Sequence, residues 1–398
     1  MDQGQTPTEL SSETAHPCKG ISETLFSSDP CTEQLPPDTA FGWVVVLGSA
    51  LNMMFSFGII STFGVYLQHY KLVEFPAAST SLLSWIGTLQ YAATCFFGIA
   101  VGVLCERIDT RSVSLLGSLM AGLGLVVASF CNSPWKLLLT QGLLNGFGAS
   151  FLYITAIALP PQWFHRYRGV AAGIATAGAG VGGVWLSFAT SAMITQLSRA
   201  WALRITGLLV IGICGPAGLL MRLRVRPAKR DKVVDLAVLC NKRFALLFFA
   251  ALFGSSGYYI PFYFMPTYSE VVLGKQGRYG ANIAAIMNGA GVVSRICVGI
   301  LGDRLGSLNM LCVSTLASCL SILVLWLPFS SLATFLAAAV IFGFFSGAIV
   351  SLIPVVAANV FGTKRLPSII GLIMIAYTIS ALIASPTAGA MLDKYGHG

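Results

Sequence analysis

From Gly42 onward the chain alternates between two kinds of stretch: apolar runs of about 20 residues or more, and short polar loops that carry most of the Lys and Arg residues. The runs fall at about 42–68, 80–104, 112–132, 135–160, 169–194, 200–221, 243–268, 281–301, 308–328, 332–358 and 367–391. At about 1.5 Å per residue, a helix of this length crosses the roughly 30 Å hydrocarbon core of a bilayer. Inside hydrocarbon, a helix satisfies every backbone N–H and C=O within one segment, whereas a barrel strand would alternate apolar and polar positions over about 10 residues. The pattern predicts an all-α polytopic membrane protein with eleven spans.

Composition adds the bilayer as a partner. With 398 residues, 56% of them hydrophobic and 10% charged, and a mean hydropathy of +0.79, there is too little polar material to coat a water-soluble globule. The net charge of +9 is spread through the loops instead of covering one face, so membrane topology explains it and nucleic acid is not an expected partner. Arg107, Arg111, Arg166, Arg168, the cluster from Arg222 to Arg243, Arg304, Lys364 and Arg365 fall on one side of the spans. The other side holds only Lys71, Lys136, Arg199, Arg204, Lys275 and Arg278. This asymmetry predicts a cytosolic N-terminus.

Residues 1–40 are rich in Ser, Thr, Pro, Asp and Glu, with Lys19 as their only basic residue, and are expected to form a disordered cytosolic tail. Without a basic start followed by an apolar run, a secretory signal is not expected there. The 10 cysteines show no CxxC pair or Cys/His spacing, so they read as small buried hydrophobes, and no metal or other cofactor is expected.

The loop after the second run reads GVLCERIDTR and the loop after the eighth reads GILGDRLGSL, an offset of 197 residues (102 to 299). One element thus occurs once in each half of the chain. Between the halves, RLRVRPAKRDKVVD reads as a basic cytosolic linker over 222–242. It separates an N-terminal lobe (41–221, spans 1–6) from a C-terminal lobe (243–398, spans 7–11).

A Gly-x-x-x-(Asp/Glu)-Arg loop after spans two and eight resembles the signature of the major facilitator superfamily, whose halves are parallel repeats around a midplane site. The resemblance implies two six-helix lobes, with the twelfth helix missing after span eleven. It also implies gating contacts at the cytosolic lobe interface by Gly102, Glu106, Arg107, Gly299, Asp303 and Arg304. A finer resemblance lies in Asp38-Thr39-Ala40-Phe41-Gly42-Trp43 and in the stretch from Trp163 to Ala175, both similar to motifs of the monocarboxylate porter family. Its fungal branch is the nearest in pattern, and some members of that branch accompany biosynthetic clusters. The plasma membrane is the location this implies. Within span five, Gly173, Gly178 and Gly182 leave little side-chain bulk, which suits close helix packing.

No Asp, Glu or His falls in the middle of a span. Arg295 is the charged exception, about 14 residues from the outer end of span eight and about 6 from the inner end. A charge there costs on the order of 3 kcal/mol unless it faces a wet cavity or a partner, or its stem lets it snorkel to the interface. The resemblance implies an Arg at this place that binds a carboxylate, for which a guanidinium fork is well suited. Asn288 lies seven residues earlier on the same helical face. Two departures from the animal members stand out: Gly291 where they have an Asp, and Ser61 where they have a Lys. With no titratable acid or His in the core, proton symport is not supported.

Further candidates for a substrate-lining role are Asn52 and Ser56 on span one, Asn145 and Tyr153 on span four, Tyr259 among the tyrosines of span seven, and Tyr377 on span eleven. The reading is a transporter, not an enzyme, for there is no nucleophile–base set, metal constellation or phosphate loop. Its expected substrate is a small organic anion, such as a monocarboxylate or a carboxylate-bearing metabolite, moved by alternating access. The alternatives are an efflux carrier for a neutral or aromatic secondary metabolite, and a transport-inactive receptor-like relative.

Overall fold

The structure, a computed structural model, describes residues 38–224, 241–271, 279–328, 331–363 and 366–395. The expected tail up to residue 37, most of the expected linker, and Lys275, Arg278, Lys364 and Arg365 lie outside the described residues.

Each apolar run forms a helix. In chain order these are α1 (Ala40–Glu74), α2 (Leu82–Arg107), α3 (Thr110–Ala128), α4 (Pro134–Trp163), α5 (Arg168–Gln196), α6 (Arg199–Leu220), α7 (Lys242–Val271), α8 (Tyr279–Leu305), α9 (Ser307–Trp326), α10 (Leu332–Phe361) and α11 (Leu366–Tyr395). By length and composition, 10 helices among the described residues can cross a membrane. The loops set their starts. Ser79, Ser198 and Ser331 each accept a hydrogen bond from a backbone N–H three residues on, satisfying a donor that the first helical turn would otherwise leave free. Gly306, at φ 95°, turns the chain between α8 and α9 in a single residue, a conformation that penalises any Cβ.

Within the first bundle (α1–α6), α5 lies along α1. A Cβ on Gly178 or Gly182 would sit 2.1 Å from the carbonyl oxygens of Ala50 and Met54 respectively. Within the second (α7–α11), Gly343 and Gly347 of α10 press against the backbone of Met287 and Gly291 on α8. Without a hydrophobic drive between helices in lipid, contacts this close are what dispersion and helix packing require.

The bundles meet where α2 packs on α11 and α5 packs on α8 and α10. Both crossings are backbone-to-backbone. Gly98 and Gly102 of α2 touch the backbone of Gly371 and Pro367 on α11, while Gly169 and Gly173 of α5 touch the backbone of Gly299 and Arg295 on α8. The offset of 197 maps Gly102 onto Gly299 and Gly98 onto Arg295, so the two crossings are copies of one contact. Both lie toward the end of the molecule that carries the acid–Arg loops, and there the bundles are closed on each other.

The two stretches that carry the finer resemblance also dock together. The Asp38 carboxylate accepts from the backbone N–H groups of His165 (3.1 Å) and Arg166 (3.3 Å). Phe41 packs on Trp163 and Trp43 on Phe164, with ring centroids 5.3 and 4.7 Å apart. The Trp163 indole donates to the Arg222 carbonyl at 2.8 Å.

Candidate functional site

On α8, Arg295, Gly299 and Asp303 recur every fourth residue and form one stripe facing α5. At its end, the Asp303 carboxylate accepts from the backbone N–H groups of Gly169 (2.6 Å) and Val170 (3.0 Å), capping the N-terminus of α5 across the bundle interface. A carboxylate at a helix N-terminus satisfies two orphan donors and opposes the positive end of the helix dipole. Next to it, Arg168 donates to the Phe164 carbonyl (2.8 Å) and to Asn359 of α10 (2.6 Å). At this interface Asp303 binds backbone, while Arg107 and Arg304 are exposed. The acid and the helix start are adjacent because Gly169 and Gly299 admit no side chain between them. Gly102 fills the matching place on α2, with half-buried Glu106 one turn beyond.

Asp303→Ala removes this cap and is expected to weaken the closed end by about 0.5–2 kcal/mol. Asp303→Asn, which keeps one acceptor, is expected to fall between. The check is the initial transport rate of the three proteins at equal membrane abundance, read alongside their thermal stability.

Two turns above the cap, the Arg295 side chain is buried, with 7% of its surface exposed. Its Nη1 donates to the Thr176 carbonyl of α5 at 2.8 Å, and it reaches the Tyr258 hydroxyl of α7. Its Nε is buried without a hydrogen-bond acceptor among the described residues. The guanidinium thus turns toward α5 between the bundles, not along its stem to the interface. Gly180 makes room for it: a Cβ there would stand 3.4 Å from Nη1.

Aromatic side chains flank this charge. Tyr153 of α4 lies within electrostatic range of both Arg295 and Tyr377 of α11. The Phe57 ring of α1 lies 4.8 Å from Tyr153 and 6.0 Å from Tyr91 of α2. Among the described residues the centre thus combines one guanidinium with a wall of phenol and phenyl rings from both bundles. Of the sequence-derived candidates, Arg295, Tyr153 and Tyr377 come together here. Asn288 is half-buried on the same face of α8 as Arg295. The side chain of Tyr259 lies outside the described residues. Phe57, Tyr91, Tyr258 and the Thr176 carbonyl complete the group.

Three candidates are placed elsewhere, in the packing of the first bundle. Asn52 is fully buried, and its amide donates to Ser114 of α3 at 2.8 Å and approaches Met221. Asn145 donates to the Ala121 carbonyl of α3 (2.8 Å) and accepts from Gln90 of α2 (2.7 Å), so it ties three helices together. Ser56 is buried with its hydroxyl on the Met53 carbonyl of its own helix. A polar side chain in a span needs a partner, and these three find theirs between or within helices. Asn145→Ala is expected to destabilise the protein by about 1 kcal/mol by stranding the Gln90 amide. Thermal unfolding in detergent would show a lower melting temperature, with the substrate KM unchanged.

Two crossing helix pairs related by an internal repeat, closed over a central charged and aromatic site, define a two-bundle carrier fold. Residues 45–385 match the Major Facilitator Superfamily, and the chain belongs to that family of membrane transporters. Among its relatives, the aspyridones efflux protein apdF of Emericella nidulans is 29% identical over 92% of this chain and 75% of its own length. The fujikurins efflux protein of Gibberella fujikuroi is 28% identical over 96% of this chain and 83% of its own. Among solved structures, the transporter FucP in its outward conformation aligns with a TM-score of 0.70 at 15% identity, covering 89% of this chain and 93% of that one.

Proposed function

We propose that the protein exports a flat organic anion, a secondary metabolite bearing a carboxylate or similar acidic group, by alternating access across the plasma membrane. The observation that carries this reading is the buried Arg295 guanidinium, which is held between the bundles by the Thr176 carbonyl and the Tyr258 hydroxyl, with Tyr153 within electrostatic range. A planar fork matches a carboxylate, and aromatic walls favour a flat body over a short aliphatic acid. The efflux proteins among the relatives support the direction of transport and the metabolite class. The two motif stretches and the position of Arg295 support a kinship with the monocarboxylate porters in the way the anion is held. With the acid–Arg loops and the N-terminus in the cytosol, as the loop charges favour, the conformation described here is closed toward the cytosol. The gate residues are then Gly102, Glu106, Gly299 and Asp303.

Ligand-induced stabilisation of the purified protein tests the reading, because a molecule that binds the folded state raises the melting temperature. 2-Naphthoate is expected to stabilise the wild type and the isosteric neutral 2-naphthamide is not, and Arg295→Ala is expected to abolish the difference. Equal stabilisation by both molecules would favour the carrier of neutral metabolites.

A further inference from the structure

Among the described residues, the hydrogen-bond partners of Arg295 are neutral. The ion pairs of Arg199 and His69 with Glu74 sit at the far end of α1. The sequence places no Asp, Glu or His in the middle of any span. The partners of the guanidinium are a carbonyl and a phenol, which solvate a cation without neutralising it. An anion in the site makes the centre neutral, and its departure leaves a bare positive charge between the bundles.

To return, an empty carrier must pass through a state in which both ends are shut and water is excluded from the centre. An unpaired ion is poorly tolerated there. The loaded carrier, with its charge paired, meets no such obstacle. A carrier with a titratable acid beside the cation could return protonated or internally paired, and this chain has Gly291 and Tyr258 on the neighbouring turns and helix instead.

We propose that the protein is an obligatory anion exchanger: Arg295 returns only with a second anion, so one organic anion leaves for each anion of like charge that enters. This rests on the reading of Arg295 as the anion site. Binding of either anion forms the same guanidinium pair, so the exchange of two monoanions moves no net charge and no proton.

The test uses the full chain in liposomes with labelled naphthalene-2-sulfonate as the probe. This flat aromatic anion stays ionised at working pH and does not leak as a neutral acid. Vesicles loaded with it are diluted into zwitterionic buffer with or without unlabelled probe. External probe is expected to speed efflux by about tenfold or more, the scale set by returning an unpaired charge through the membrane centre. In Arg295→Gln, whose empty form carries no charge, the residual flux is expected to lose that acceleration.

Equally fast wild-type efflux with and without external probe overturns obligatory exchange and leaves Arg295 as an anion site. No flux under either condition, with 2-naphthoate still stabilising the protein, also overturns exchange. No flux together with no stabilisation overturns the anion site and the exchange with it.

Discussion

Gly299→Ala is expected to slow transport by roughly 5- to 150-fold without unfolding the protein. The added Cβ would stand 2.4 Å from the Gly169 carbonyl oxygen and 2.8 Å from the Gly169 carbonyl carbon, both of them backbone atoms that cannot rotate away. The two helices must separate instead, and overpacking of this kind costs about 1–3 kcal/mol, which is the 5- to 150-fold range as a population shift. The strain falls on one conformation only, because the contact lies between bundles that part when the other end closes. Spin labels at positions 107 and 304, exposed on opposite bundles, report the spacing of the closed end. Gly299→Ala is expected to move the distance distribution to longer values, and Gly173→Ala, whose Cβ would meet the Arg295 carbonyl at 2.1 Å, is expected to do the same. An unchanged distribution with an unchanged rate would mean that the α5–α8 contact is not part of the cycle.

Arg295→Ala is expected to reduce transport of an aromatic acid by roughly 30-fold or more. Truncating one partner of a buried, hydrogen-bonded charge pair costs about 2–5 kcal/mol, at about 1.4 kcal/mol per tenfold. Arg295→Lys keeps the charge but replaces a planar fork with a point donor that cannot hold the Thr176 carbonyl and a carboxylate in the same geometry, so it is expected to recover only part of the loss. Initial rates at matched surface expression measure both. Because the guanidinium is buried among neutral groups, its removal is expected to leave the melting temperature nearly unchanged or raise it, which separates a binding role from a structural one.

The helices, their order and the internal repeat were legible in the sequence because each follows from one-dimensional signals: run length, loop charge and a 197-residue echo (102 to 299). The fate of the polar residues was not. A mid-span Asn reads the same whether it faces a cavity or a neighbouring helix. Asn52 and Asn145 face neighbours because Ser114, Ala121 and Gln90 happen to lie opposite them, and no spacing along α1 or α4 encodes that. Tyr258 and Tyr259 differ by about 100° around α7, and composition alone does not choose between them.

Asp303 illustrates the same limit at the gate. The acid–Arg dipeptide marks the place but not the partner: the Asp303 carboxylate accepts from backbone N–H groups at the start of α5, which carry no side-chain signature. One signal was available: the offset aligns Arg295 with Gly98, a helix-contact position, and so locates the charge at the bundle interface instead of in lipid.

The most direct measurement is the structure of the protein with 6-bromo-2-naphthoate, using the anomalous signal of bromine to place the ring. The account predicts bromine within the wall formed by Phe57, Tyr91, Tyr153 and Tyr377, with the carboxylate hydrogen-bonded to the Arg295 guanidinium. A ligand bound elsewhere, or one lying in the same wall with its carboxylate turned away from Arg295, would contradict it.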